Sequence, residues 1–184
     1  MYRDLTEEEL KRLLPFSYGR WPDRLDRKRW NPPRPPEAVQ EHGIPASNRE
    51  GSLLSFEDSR SDWRQLVHLE TDREVEVEGV RYRKGVMLPF EYGRSVKFMC
   101  LTKEGFLWVW NAWEYRDPQG SLRLMSHEHF SGMLVEELPN GFRYRCNEGR
   151  DDDDYDDLIF RIERTGIVGG PPPAKPRTAR LRGR

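Results

Sequence analysis

Short runs of alternating apolar and polar residues fill the chain from about Trp63 to Arg164. Val75 and Val77 flank a glutamate, and Gly79 then interrupts the pattern. Successive side chains of a strand point to opposite faces, so this period of two indicates half-buried β-strands, with a hairpin at Gly79. Later runs of the same character are Lys84–Pro89, Ser95–Leu101, Phe106–Glu114, Ser121–Met125, Phe130–Glu137, Gly141–Cys146 and Leu158–Glu163.

Turn-forming residues separate these runs at intervals of about ten residues. They are Tyr92-Gly93, Lys103–Gly105, Asp117–Gly120 and Leu138–Gly141. Many short strands with such spacing are typical of an antiparallel sandwich or barrel, and we predict an all-β, antiparallel, jelly-roll-like β-sandwich. The most apolar run, Phe106–Trp113, is predicted to be a central strand.

The prolines mark the ends of this domain. Seven of the fourteen lie between Pro15 and Pro45, and four more lie between Pro171 and Pro176. Proline lacks the N–H that a sheet needs, so dense proline favours extended or irregular chain. We therefore predict a Pro/Arg-rich N-terminal arm over residues 1–62, a β-sandwich over 63–166, and a flexible basic Pro-rich tail over 167–184.

The predicted arm contains one strong helix signal. Thr6 and Glu9 form a capping box ahead of three leucines, which predicts a short helix ending near Pro15. A second short helix over Pro36–Glu41 is also expected. Trp21 and Trp30 lie in sequence with no core of its own, so they pack either on this domain or on a partner.

Composition narrows the classes of function. Lysine and arginine number 31 against 32 acids, so the overall charge gives no reason to expect a nucleic-acid or membrane partner. The N-terminal residues lack the apolar core of a signal peptide, and no apolar run is long enough to cross a membrane. These features predict a cytoplasmic protein or a component of a particle. The two cysteines, Cys100 and Cys146, are too few for a disulfide framework, and whether they pair is left open.

Seven carboxylates lie within the ten residues from Glu148 to Asp157. Such a run repels itself unless it is solvated or neutralised, yet this one leads directly into the apolar strand Leu158–Phe160. Calcium takes about six to eight oxygen ligands from flexible loops, so we predict a calcium site here. Magnesium and a solvated turn without metal remain alternatives. The acids at alternate positions, which can converge on one ion, are Asp152, Asp154 and Asp156.

An EF-hand does not explain this loop. Counting from Asp152, position 12 is Glu163 as that motif requires, but position 6 is Asp157 and not glycine. The residues that follow have the pattern of a strand and not of a helix.

The stretch Asp152–Phe160 resembles the C-terminal signature of bacterial DUF4114 domains, D-x-D-[FY]-N-D-[LV]-[VI]-[FV]. The resemblance spans about residues 80–164 and implies a small calcium-binding β-sandwich that is not an enzyme, usually in exported or surface proteins. Asp156 stands where the family commonly has asparagine, and Gly149 stands where it has aspartate. The family positions are matched by Glu148, Asp152, Asp154 and Asp157, so the full predicted metal set is Glu148, Asp152, Asp154, Asp156 and Asp157.

Two other constellations give alternative functions. His127 and His129 share a face if they lie on a strand, which would suit a transition metal in a cupin-type metalloenzyme. Residues Lys175–Arg184 contain one lysine, four arginines and no acid, which would suit nucleic acid or an acidic protein surface.

The preferred prediction is a non-enzymatic, calcium-binding protein that is a structural or interaction subunit of a larger assembly. A virion or an injection machine is an example of such an assembly. Its contacts with a protein partner, or with copies of itself, would come from the N-terminal arm and the C-terminal tail.

Overall fold

Alternation of buried and exposed side chains produces ten strands in the part of the chain that the structure describes. The computed structural model describes residues 37–127, 131–150, 152 and 154–167. The strands are β1 (His42–Pro45), β2 (Glu50–Asp58), β3 (Arg64–Val77), β4 (Val80–Pro89), β5 (Ser95–Leu101), β6 (Phe106–Arg116), β7 (Leu122–Met125), β8 (Gly132–Leu138), β9 (Gly141–Asn147) and β10 (Leu158–Ile167). A 3-10 turn follows β4 at Phe90–Tyr92. In this described part, no helix is long and apolar enough to cross a membrane.

The strands form one curled antiparallel sheet in the order β1-β6-β3-β5-β2-β10-β9-β8. β4 also pairs with β3, and β7 pairs with β6. Val39, just before β1, exchanges two backbone hydrogen bonds with Met133 on β8, which joins the two ends of the sheet. The all-β antiparallel prediction is therefore confirmed.

The fourteen-residue strand β3 produces much of the curl. Its first half pairs with β6, whereas its second half pairs with β5. The pairing with β4 is irregular between Glu70 and Glu74, where the strand changes neighbours. A bulge of this kind increases twist and bends a strand, so one strand serves both halves of the sheet.

The core lies inside this curled sheet. β6 contributes the buried residues Leu107 and Val109, and it has neighbours on both sides, as predicted for a central strand. The rings of Tyr144 on β9 and Phe160 on β10 stack with centroids 4.5 Å apart. Both rings are fully buried, so the two strands that flank the acidic loop are held by the core itself.

The domain begins earlier in the chain than the sequence pattern indicates. Residues 42–58, which the pattern assigned to the arm, form β1 and β2, and β2 lies between β5 and β10. Serines at buried positions, among them Ser52 and Ser55, weaken the apolar signal of β2. Residues 37–41 form turns and a bridge, so the second predicted helix is wrong. The capping-box helix, Trp21, Trp30 and the tail beyond residue 167 lie outside the described residues.

Cys100 on β5 and Cys146 on β9 are both free thiols in the core. Burial raises the pKa of Cys100 to about 12 and raises that of Cys146 well above its ordinary value. Each thiol therefore packs as a small apolar group.

Candidate functional site

The acidic loop connects β9 to β10 at one end of the sheet. Leu158 pairs with Cys146, so the chain leaves and re-enters the sheet at neighbouring positions. Tyr155 anchors the loop, because its side chain is only 2% exposed. Its φ of 54° lies in the left-handed region, which costs a non-glycine residue about 1 kcal/mol. The buried ring offsets that strain and fixes the loop.

Three aspartates of this loop converge. One carboxylate oxygen from each of Asp152, Asp154 and Asp157 lies within 4.8 Å of the others. Oxygens that share one calcium ion at about 2.4 Å each lie at most about 4.8 Å apart, so this spacing is compatible with a shared ion. Asp152 and Asp154 are exposed, whereas Asp157 is only 6% exposed. The arrangement is a half-open cluster of oxygen ligands with one buried member.

Burial and the neighbouring carboxylates disfavour the ionised form of Asp157. Burial, together with the negative charges of Glu148, Asp152 and Asp154, raises its pKa to about 7. The backbone N–H of Glu148 opposes this shift by donating to Asp157 Oδ2 at 2.7 Å. A divalent cation held by the same carboxylates would relieve the repulsion, so the site fits such an ion chemically.

Glu148 is fully buried and is held by protein groups. Its Oε2 accepts hydrogen bonds from the Ser61 hydroxyl and from Gln65 Nε2, the latter at 2.6 Å. Its Oε1 lies 3.2 Å from Arg150 Nε. Burial raises the pKa of Glu148, while these donors and Arg150 lower it. Glu148 therefore organises the base of the loop, and its own backbone holds Asp157 in place.

Asp156 forms an ion pair with an arginine from another loop. Arg60 Nη1 donates to Asp156 Oδ2 at 3.0 Å, and the Asp156 N–H donates to Asp154 Oδ1 at 3.3 Å. Of the five predicted metal ligands, the structure brings together Asp152, Asp154 and Asp157. It places Asp156 against Arg60 and Glu148 among Ser61, Gln65 and Arg150.

The residues that sequence reasoning missed lie between β2 and β3. The Ser59 hydroxyl donates to the Asp157 carbonyl at 2.8 Å, and Arg60 and Ser61 reach the loop as described above. Trp63 lies beneath the Arg150 guanidinium, 4.4 Å from it. These contacts join residues almost 100 positions apart, and no local motif marks them.

The structure describes one member of the predicted histidine pair. His129 lies outside the described residues, whereas His127 packs beside Trp110, with ring centroids 5.4 Å apart. On the other side of the cluster, the His68 ring lies 3.9 Å from Trp110. Among the described residues, the histidines do not join any group of three possible metal ligands. Trp110, which belongs to the buried core, and the two imidazoles form an aromatic cluster where β6 pairs with β3.

Burial of these imidazoles predicts instability in acid. Burial lowers the pKa of His68 to about 3, with His127 contributing, and burial lowers that of His127 to about 4. An unfolded histidine titrates near 6.5, so the unfolded state binds more protons below that pH, and stability falls as pH drops from 6.5 towards 4. His68 alone accounts for about 2 kcal/mol at pH 5.

Urea unfolding at pH 7 and pH 5 measures this effect. A His68→Phe variant keeps an aromatic ring against Trp110 but cannot bind a proton. We expect it to lose about 2 kcal/mol less between the two pH values than the wild type does. Equal losses in the two proteins would show that His68 does not titrate as described.

No protein-family model matches this chain. No curated protein and no solved structure matches it either. The resemblance to DUF4114 domains therefore remains an expectation from the sequence of the acidic loop and the strands before it.

Proposed function

We propose that this chain is a non-enzymatic β-domain whose acidic loop binds one calcium ion, and that it is a structural or interaction subunit of a larger assembly. The observation that carries the proposal is the convergence of Asp152, Asp154 and Asp157 within 4.8 Å. The remaining ligand positions of the ion would be taken by water or by a partner's oxygen atoms.

Charge balance around the loop supports a cation. The three converging aspartates and Glu148 are four carboxylates. Of the nearby arginines, Arg145 donates to the backbone carbonyl of Asp154 at 3.2 Å, and two others contact different acids. Arg60 contacts Asp58 and Asp156, and Arg150 contacts Glu148 and Asp62. None of these ion pairs involves the three converging aspartates. A hard divalent ion is the simplest group that neutralises them.

The surroundings of the other reactive side chains favour a binding role over catalysis. An accessible nucleophile or base needs a pKa near the working pH. The two thiols are buried with raised pKa values, and His68 is buried with its pKa lowered to about 3. His42, whose pKa is also lowered by burial, lies 3.0 Å from the Tyr144 hydroxyl.

Urea unfolding with calcium, magnesium or a chelator tests the ion. At a hundredfold excess over its dissociation constant, calcium is expected to raise the free energy of unfolding by about 2.7 kcal/mol. An Asp154→Asn variant should lose most of this gain. Asp156→Asn is the matched control, because it changes the same loop at a residue that contacts Arg60, and it should keep the gain.

Two outcomes would overturn the calcium proposal. One is an unfolding free energy that is the same with calcium and with chelator, and the other is an equal loss of the gain in both variants.

The assembly part of the proposal is tested on the same full chain by sedimentation velocity. Species larger than a monomer are expected, and a monomer at every concentration would contradict this part.

A further inference from the structure

The outward face of β6 carries an exposed aromatic pair. Phe106 is 42% exposed and Trp108 is 39% exposed, while their neighbours Leu107 and Val109 are buried. The two rings stack with centroids 6.0 Å apart and an interplanar angle of 29°. Adjacent aromatic rings left open to water commonly mark a binding surface. We call this pair, together with Gly43 and Pro45, the aromatic platform.

Strand β1 pairs with β6 beside the two rings and completes the aromatic platform. Gly43 lies opposite Trp108, and Pro45 lies opposite Phe106. A side chain at Gly43 would come within 2.9 Å of the Trp108 ring, so glycine allows that ring to lie flat on the backbone. Pro45 is exposed beside Phe106. A flat surface of aromatic rings is the kind on which proline-rich extended segments dock.

Charges of both signs lie beside the platform. Glu70 lies opposite Trp108 on β3, and Glu104 is exposed in the turn before Phe106. Lys103 is exposed in the same turn, and Arg164 Nη2 donates to the Pro45 carbonyl at 2.8 Å. The rings therefore supply the main docking surface, and Glu70 and Glu104 offer carboxylates to basic residues of a docked segment.

The chain contains such a segment immediately after β10. Residues 171–177 hold four prolines together with Lys175 and Arg177, and no acid. Arginine also stacks on aromatic faces, which adds to the docking of prolines. The composition of this segment matches both the rings and the carboxylates of the platform.

The C-terminal end of β10 and the aromatic platform lie at the same end of the strands. Ile167 pairs with Glu50, whose N–H donates to the Ser47 carbonyl. In the same turn, the Ala46 N–H donates to the carbonyl of Gly105, the residue before Phe106. Residues 168–173 can span about 20 Å when extended, so the first prolines can reach the platform of their own domain.

The N-terminal Pro-rich segment is a poorer candidate for docking on the platform, because the described chain approaches from the wrong direction. β1 runs antiparallel to β6, so the chain traced backwards from Pro45 to His42 moves from Phe106 towards Val109. It then continues to the bridge between Val39 and Met133. The first described residues, 37–39, therefore lie away from Phe106.

We propose that residues 171–177 dock on the aromatic platform of their own chain, with prolines on the Phe106 and Trp108 rings and basic side chains beside Glu70 and Glu104. This contact is independent of the calcium ion. It narrows the assembly proposal, because it engages Lys175 and Arg177 within their own chain.

Photo-crosslinking of the full chain tests this contact. The photoreactive residue p-benzoylphenylalanine replaces Phe106, and the matched control carries it at Leu122, which is 57% exposed on β7. We expect crosslinks within the chain from position 106 to residues 169–177, at least about fivefold more than from position 122, because a tethered segment has a high effective concentration. Replacing Pro171, Pro172 and Pro173 with serine should reduce the yield by a similar factor.

Other outcomes would overturn the proposal. Crosslinks that join two chains would make a second copy the occupant, and crosslinks to residues 1–36 would make it the N-terminal arm. Equal yields at positions 106 and 122, or an unchanged yield in the serine variant, would show that the prolines do not dock. None of these results depends on calcium, so they are separate from a failure of the calcium proposal.

Discussion

Replacing Glu148 with alanine is expected to lower the free energy of unfolding by about 3 kcal/mol, because it removes the acceptor at the centre of a buried polar network. Gln65 Nε2, the Ser61 hydroxyl and Arg150 Nε would all lose their contact with this carboxylate. Gln65 Nε2 would keep only its longer contact with the Trp63 carbonyl, at 3.4 Å, and the cavity left at the fully buried Glu148 position adds to the loss. Urea unfolding at pH 7 measures it.

Glu148→Gln is the control for this change. It keeps the volume and one acceptor oxygen, so a loss of about 1 kcal/mol is expected. The Glu148 backbone N–H still holds Asp157 in this variant, so stabilisation by calcium should remain. A loss below about 1 kcal/mol for the alanine variant would show that the network contributes little. Loss of the calcium effect in the glutamine variant would make Glu148 a ligand and not a positioning residue.

Gly141→Ala should have an effect of similar size for a purely steric reason. A methyl group at Gly141 would lie 1.9 Å from the Ile162 carbonyl oxygen and 3.0 Å from Glu163 Cα, both on β10. Backbone atoms cannot move aside as a side chain does, so β9 and β10 would have to separate locally. We expect a loss of about 3 kcal/mol, measured by urea unfolding.

Gly120→Ala separates this clash from the general effect of losing a glycine. No atom lies within 4 Å of the position a methyl group would take there, but its φ of 83° is in the left-handed region. The backbone strain alone should cost about 1 kcal/mol. If the two alanine variants lost the same amount, the close approach of β10 to Gly141 would not be the cause.

The strand pattern of this chain is predictable because it is local. The runs around Val75, Phe106 and Leu158 alternate with a period of two, and each becomes a strand in about the predicted place. β2 escaped prediction because Ser52 and Ser55 occupy buried positions that a pattern search expects to be apolar. Its placement between β5 and β10 is a long-range property, which no local pattern records.

The acidic loop shows the same division between local and long-range information. Its density of aspartates predicts a cluster, and Asp152, Asp154 and Asp157 do converge. The spacing alone also nominated Asp156, which instead contacts Arg60 from a loop 96 positions away. Sequence spacing gives the order of possible ligands, whereas the neighbouring loops decide which of them face one another.

The position of the loop explains how an ion there would stabilise the domain. The loop joins β9 to β10, and Tyr144 and Phe160 of those strands stack in the core. The Ser59 hydroxyl and Arg60 tie the same loop to the connection between β2 and β3. A cation that fixes Asp157 would therefore strengthen the contact between two parts of the sheet that are distant in sequence.

Equilibrium dialysis of the purified full chain against radioactive calcium measures directly whether the acidic loop binds the ion. We expect one calcium ion bound per wild-type chain, retained by Asp156→Asn and lost from an Asp152→Asn/Asp154→Asn double variant. Absence of bound calcium in the wild type, or the same binding in the double variant as in the wild type, would contradict it.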